Sequence, residues 1–224
     1  MEQMGQVVQR TEEQVLEPSP WGGGQSPFAV SWPKLMMWLF LLSDALTFAA
    51  LLSAYMVARL TAGVWPHQAA IFNVTFVVGP MTFILICSSA TMAVAVGAAR
   101  RGEQRLAVRY LLLTVLGGLA FLGMQAYEWT HFIREGGRLT GWAGHVPEGV
   151  LPPGAAMPAM FPATFFVTTG FHGAHVTSGV IYLLVKAVQA ARGRASAESV
   201  EIAGLYWHFV DLVWVFIFTM LYLI

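Results

Sequence analysis

Five apolar runs, at about 35–58, 72–98, 108–131, 160–187 and 202–224, each exceed the roughly 20 residues a helix needs to cross a bilayer. They make the chain all-α, a polytopic membrane protein with a bundle of five transmembrane helices over residues 32–224. Composition supports this: 57% of the 224 residues are hydrophobic and 11% are charged, against about 25% charged in soluble domains. Most runs are apolar all round, as helices in lipid should be, so periodicity does not identify their inward faces. The second run begins after Pro66 and contains Pro80, which predicts a kink.

Residues 1–31 differ in kind. Glu2, Glu12, Glu13 and Glu17 stand against a single Arg10, followed by Pro18, Pro20, Gly22, Gly23, Gly24 and Pro27. A cleavable signal needs a basic start and an early apolar core. This stretch has neither and reads as a flexible cytoplasmic tail.

Basic residues predict the orientation. Arg10, Lys34, Arg100, Arg101, Arg105, Arg109, Lys186, Arg192 and Arg194 fall on one face, and Arg59, Arg134 and Arg138 on the other. Loops rich in Lys and Arg stay inside, so the N-terminus is expected in the cytoplasm and the C-terminus outside. Formal net charge is zero, with no basic excess to suggest a nucleic-acid partner. The single cysteine, Cys87, excludes an internal disulfide and a cysteine-built metal cage. It is expected to be a small buried side chain.

The outer connection 132–159 is long and rich in Gly and Pro, with Trp142, Leu151, Met157 and Met160 among them. A loop of this length is uncommon without a role. It reads either as a segment lying on the membrane surface or a partner, or as an ordinary insertion.

Ionisable side chains inside apolar runs are costly and are functional candidates. A rise of about 1.5 Å per residue puts Asp44 and Asp211 about 13 Å, His175 about 16 Å and His208 about 8 Å from the cytoplasmic side. Asp44, His175 and Asp211 would then share a layer. His172 with His175, and His208 with Asp211, share helix faces at a spacing of three. Glu128 sits near the outer end of the third run, one turn from Gln125 and His131.

Three readings compete for this set. A haem site needs two histidines facing each other at one depth, and His208 and His175 differ by about 8 Å. A proton or ion path would use the carboxylates, Asp44 first, since its own run has no basic neighbour. A structural reading has these groups hydrogen-bonding across helices. Gly117, Gly118, Gly123, Gly170, Gly173 and Gly179 support close helix approach. The aromatic end, with Trp207, Trp214, Phe216, Phe218 and Tyr222, is expected to face lipid or a partner.

The runs Phe165-Phe166-Val167 to Val176 and Tyr206 to Trp214, with Gln125-Ala126-Tyr127-Glu128-Trp129, resemble the last helices of subunit III of the haem–copper cytochrome oxidases. The likeness extends from the first run to the end, and five spans match the short bacterial form. Ser43-Asp44 falls where the family usually has serine and glutamate, so the acid is kept but shortened. The resemblance implies an accessory subunit of a proton-translocating oxidase that reduces oxygen to water. It would carry no haem or copper of its own, those belonging to partner subunits, and would sit in the bacterial plasma (inner) membrane.

By the same resemblance it would pack beside catalytic subunit I and other oxidase subunits, and in supercomplexes where these form. It would bind phospholipid and support proton uptake, with Asp44 as the proton-related carboxylate. Glu128, His172, His175, His208 and Asp211 would form a buried polar network. Arg59 on the outer side and Lys186 and Arg192 on the inner side are head-group candidates, because long basic side chains reach the interface. The alternatives are an accessory protein of a nitric oxide reductase and a small ion or solute transporter. The latter is disfavoured by the lack of internal repeats.

Overall fold

The computed structural model describes residues 30–144, 146 and 148–224. The tail expected over 1–31 therefore lies, up to residue 29, outside the described residues. The chain divides between Phe40 and Leu41 into two units. In the first, the described part is mainly the opening of helix α1 (Trp32–Thr61), whose apolar side chains Met36, Trp38, Leu39 and Phe40 are exposed.

The second unit holds the rest of α1, a short helix α2 (Gln68–Ile71), and α3 (Gly79–Arg100), α4 (Gln104–Glu135), α5 (Met160–Ala191) and α6 (Ala197–Phe218). Among the described residues, five segments are long and apolar enough to cross a membrane: Trp32–Thr61, Val74–Arg100, Gln104–Glu135, Met160–Ala191 and Ala197–Leu223. Two of them include single π-helical turns, Val74–Val78 before α3 and Thr219–Leu223 after α6. Pro80 lies in the first turn of α3, where its missing N–H costs nothing, so the irregularity expected at this proline is the adjacent π-turn.

Helices α3, α4, α5 and α6 close a ring, each packed on two neighbours. The ring centre is filled from α6. Trp207 is fully buried, its ring 2.6 Å from where a Cβ would stand on Gly118 and 3.0 Å from the same point on Gly179. Its indole N–H donates to Ser88 Oγ at 3.1 Å. Trp214, also fully buried, donates to Thr82 Oγ1 at 2.9 Å and meets Phe121 edge-on. Two of the expected close-approach glycines thus exist to seat one indole. Gly123 and Gly173 have open space instead.

Two expectations are corrected here. Trp207, Trp214 and Tyr222 are buried inside the bundle rather than facing outward, although Phe216 is exposed. Cys87 is exposed rather than buried. An all-apolar helix does not reveal its inward face, which accounts for both errors.

The connection after α4 also turns inward. Gly136, at φ +119, ends the helix in a left-handed conformation that favours glycine. Strands β1 (Gly137–Arg138) and β2 (Gly141–Trp142) follow as a small antiparallel hairpin. Trp142 packs edge-on against Phe132. Val150 is fully buried, and its carbonyl accepts the His67 N–H at 2.9 Å. The loop's apolar residues are therefore partly spent on its own bundle.

Candidate functional site

The ionisable side chains singled out within the spans fall into three clusters and one ring without a hydrogen-bond partner. The first joins α1 to α5. Asp44, 8% exposed, places Oδ1 3.3 Å from His175 Nε2. His175 Nδ1 lies 2.8 Å from the Phe171 carbonyl, which can only accept, so that nitrogen carries a proton. The contact between Nε2 and the carboxyl then needs one more proton, held by one group or the other. Asp44 Oδ2 is buried without a partner. The rings of Phe48 and Phe171 pack on His175 with centroids 5.4 and 4.6 Å away, keeping the pair in apolar surroundings. Tyr206 on α6 donates its hydroxyl to the His175 carbonyl at 3.0 Å.

The second cluster lies near the C-terminal end of α4. Glu128 Oε2 accepts from Gln125 Nε2 and from the Tyr222 hydroxyl, both at 2.8 Å. Glu128 also lines a cavity of about 420 Å³ with Asn73, Tyr127, His131 and Glu135. His131 Nδ1 and Glu135 Oε1 are 3.4 Å apart on its rim.

The third cluster joins α3 to α6. Ser89 Oγ is 2.6 Å from His208 Nδ1, and Asp211 stands one turn further along α6. All three residues are half-buried. His172 stands alone: it is fully buried, its ring stacks on Trp214 at 5.0 Å, and neither ring nitrogen has a partner.

The expected layer of Asp44, His175 and Asp211 is thus divided. The structure brings the first two together and places Asp211 with His208. The expected single network is likewise three clusters. Rise along a helix gives depth but not the direction in which a side chain points. Ser89, which completes the third cluster, was not singled out from the sequence, and Tyr206 and Tyr222 were read only as parts of a resemblance run and of the aromatic end. A hydroxyl in an apolar run was the available signal.

Arg59 is half-buried near the end of α1, with Nη1 buried and unpartnered. Lys186 Nζ donates to Gln189 Oε1 at 3.2 Å and lies 5.4 Å above the Tyr182 ring. Arg192 is exposed just past α5. A mainly apolar groove of about 540 Å³ runs between α1 and α6, lined by Phe48, Leu52, Met56, Phe209, Leu212 and Phe216 among others. Among the described residues, no three His, Cys, Asp or Glu side chains converge as a metal site.

Helices of this length, with small polar clusters sealed between them, define a multi-pass membrane protein. Comparison with known families narrows the class. The family described as Cytochrome c oxidase subunit III matches residues 13–133 and 154–224, and the chain belongs to that family.

"Quinol oxidase subunit 3" of Bacillus subtilis is 32% identical over 194 residues, covering 84% of this chain and 85% of its own length. "Probable quinol oxidase subunit 3" of Staphylococcus saprophyticus is 32% identical over 196 residues, 85% of this chain and 88% of its own. "Probable cytochrome c oxidase subunit 3" of Nocardia farcinica is 33% identical over 190 residues, 83% of this chain and 85% of its own. The interval 134–153 between the matched segments contains the β1–β2 hairpin. An oxidase subunit III works within a complex of other oxidase subunits.

Proposed function

We propose that this chain is the accessory subunit III of a bacterial haem–copper terminal oxidase in the plasma (inner) membrane. It packs beside catalytic subunit I, carries no redox cofactor, retains phospholipid and supports proton uptake during oxygen reduction. Residues 1–31 form a cytoplasmic tail, residues 32–224 the membrane domain, and the C-terminus faces outside. The contact between Asp44 and His175 carries the proton-related part of this reading. It is an acid and a base in contact, mostly covered by aromatic rings within membrane-spanning segments.

Arg59, Lys186 and Arg192 are proposed to meet phospholipid head groups. Arg59 stands in the last turn of α1, where a long basic side chain can reach the interface. The apolar groove between α1 and α6 suits an acyl chain.

The test is to purify the native complex through a tag on this chain and record its metal content and haem spectrum. Co-purification with a haem- and copper-containing oxygen reductase is expected. A chain that purifies alone from intact membranes, or with a nitric oxide reductase core, refutes the reading.

A further inference from the structure

The grooves on the described surface differ in what they offer a membrane lipid. The groove between α1 and α6 has no basic residue in its lining. A hollow between the start of α4 and the end of α5 has Arg105 and Arg109, but only Val108, Ala190 and Ala191 as apolar wall. A groove of about 480 Å³ at the opposite ends of these two helices combines both characters. Trp129, Ile133, Leu139 and Phe166 form its apolar wall, and Arg138 is the charged residue in its lining.

The groove is held in shape by the chain itself. Trp129 donates its indole N–H to Thr169 Oγ1 at 3.2 Å, and its ring lies 3.2 Å from where a Cβ would stand on Gly170. Phe166 meets it edge-on at 5.3 Å. Trp129 lies six residues before the end of α4 at Glu135, and Phe166 six after the start of α5 at Met160. That is about 9 Å along each helix. The hairpin fixes Arg138 at the groove's mouth. Gly137 leaves no room for a side chain against the Phe132 ring, and successive strand residues point to opposite sides, so Arg138 is turned to the groove. Among the described residues, no ion pair engages its guanidinium.

An apolar wall running inward from a cation at the end of two spans has the layout of one phospholipid, its phosphate at the head-group level and a tail below. Tryptophan is at home at that level, and a guanidinium holds phosphate by paired hydrogen bonds. The lining has no carboxylate to receive the ammonium of an ethanolamine or choline head group, so charge favours an anionic one. We propose that the groove formed by α4, α5 and the β1–β2 hairpin binds an anionic phospholipid of the phosphatidylglycerol type, with its phosphate on Arg138 and an acyl chain along Trp129 and Phe166. The inference rests on the phospholipid part of the reading above and adds a separate site and a head-group class. Gly137, Arg138 and Leu139 lie outside the residues the family matches, so membership of the family does not by itself imply this site.

Native mass spectrometry tests the site. The full chain, with the subunits that co-purify with it, is stripped of lipid in detergent and titrated with phosphatidylglycerol or phosphatidylcholine. The unaltered protein should bind phosphatidylglycerol more tightly. Arg138→Gln should weaken one phosphatidylglycerol binding step about fivefold, the effect of one basic residue near a lipid surface, and leave phosphatidylcholine binding unchanged. Arg138→Lys keeps the charge and should keep most of the binding. Arg138 is exposed, so neither variant depends on repacking the core.

A benzoylphenylalanine probe at the exposed Leu139, in the groove's wall, reports what fills the groove in native membranes. Illumination should give phospholipid adducts. Adducts to another polypeptide alone would place a partner chain there and overturn the proposal. Equal phosphatidylglycerol affinity in Arg138→Gln and the unaltered chain also overturns it. If the protein holds no phospholipid at any site, the phospholipid reading itself fails. If it holds phospholipid that Arg138→Gln does not alter, this site alone is wrong.

Discussion

The hydroxyl of Tyr222 donates to Glu128 Oε2 at 2.8 Å, tying the last turn of the chain to α4. Both side chains are buried, and Tyr222 reaches the carboxyl from the π-turn Thr219–Leu223. Tyr222→Phe keeps the ring in its aromatic surroundings and removes only the donor. It should destabilise the bundle by about 1–3 kcal/mol, the cost of leaving a buried acceptor short of a partner. Thermal unfolding of the detergent-solubilised protein measures this. Tyr222→Leu, which also removes the contact with Phe72, should cost more.

Gly118 and Gly123 lie on the same helix but predict opposite outcomes. A Cβ on Gly118 would stand 2.6 Å from both Trp207 and Val180, whereas one on Gly123 meets nothing within 4 Å. Gly118→Ala should therefore lower stability by about 1–3 kcal/mol through overpacking. Gly123→Ala should be neutral or gain up to about 1 kcal/mol from helix propensity. Unfolding midpoints of the two variants under identical conditions make the comparison.

Asp44→Asn keeps the side-chain shape and removes the acid that faces His175. If Asp44 supports proton supply without acting in oxygen reduction, initial oxygen consumption by the complex should largely persist. The loss should appear later, as faster inactivation during turnover or a lower proton-to-electron ratio. Abolished first turnovers in a fully assembled complex would place Asp44 on the essential path. An unchanged turnover lifetime and proton ratio would leave it a packing role only.

Between α3 and α4, Arg101 donates to both carboxylate oxygens of Glu103, at 2.8 and 3.2 Å. This hydrogen bonding lowers the Glu103 pKa. A lowered carboxylate pKa adds stability above the unfolded value near 4.3, and that stability disappears as pH falls through the folded value. The pair is fully exposed, so the contribution is small and screened by salt. Glu103→Gln should therefore match the original protein below about pH 4 and differ slightly, at low ionic strength only, at neutral pH. Melting curves across pH and salt check this.

The basic-residue bias predicts which side each terminus occupies. Alkaline phosphatase fused after Ile224 should be active in cells, since the C-terminus is expected outside. An inactive fusion at normal expression would contradict the orientation.

The spans were legible in the sequence because twenty apolar residues in a row have few alternatives. Their ends were less so: α4 runs from Gln104 to Glu135, beyond the apolar 108–131, because polar first and last turns still hydrogen-bond as helix. Asp44 and His175 could be matched by depth and do meet. Asp211 has nearly the same depth as Asp44, yet it points into the α3–α6 seam. The missing information is rotation about the helix axis, which an all-apolar sequence does not encode in its periodicity. The same gap explains Cys87, expected inside and found exposed. The β1–β2 hairpin was missed because two-residue strands leave almost no alternation to read.

The indoles of Trp207 and Trp214 give the bundle an order of assembly. Both belong to α6, which follows the other three ring helices in the chain, and they bond to Ser88 and Thr82 on α3 and fill space between α4 and α5. Until α6 inserts, α3, α4 and α5 surround an unfilled centre, with the Ser88 and Thr82 hydroxyls bonded only to carbonyls of their own helix segment. A chain interrupted before residue 207 therefore lacks both of the side chains that fill the ring, and its three remaining helices have nothing at their centre to pack against.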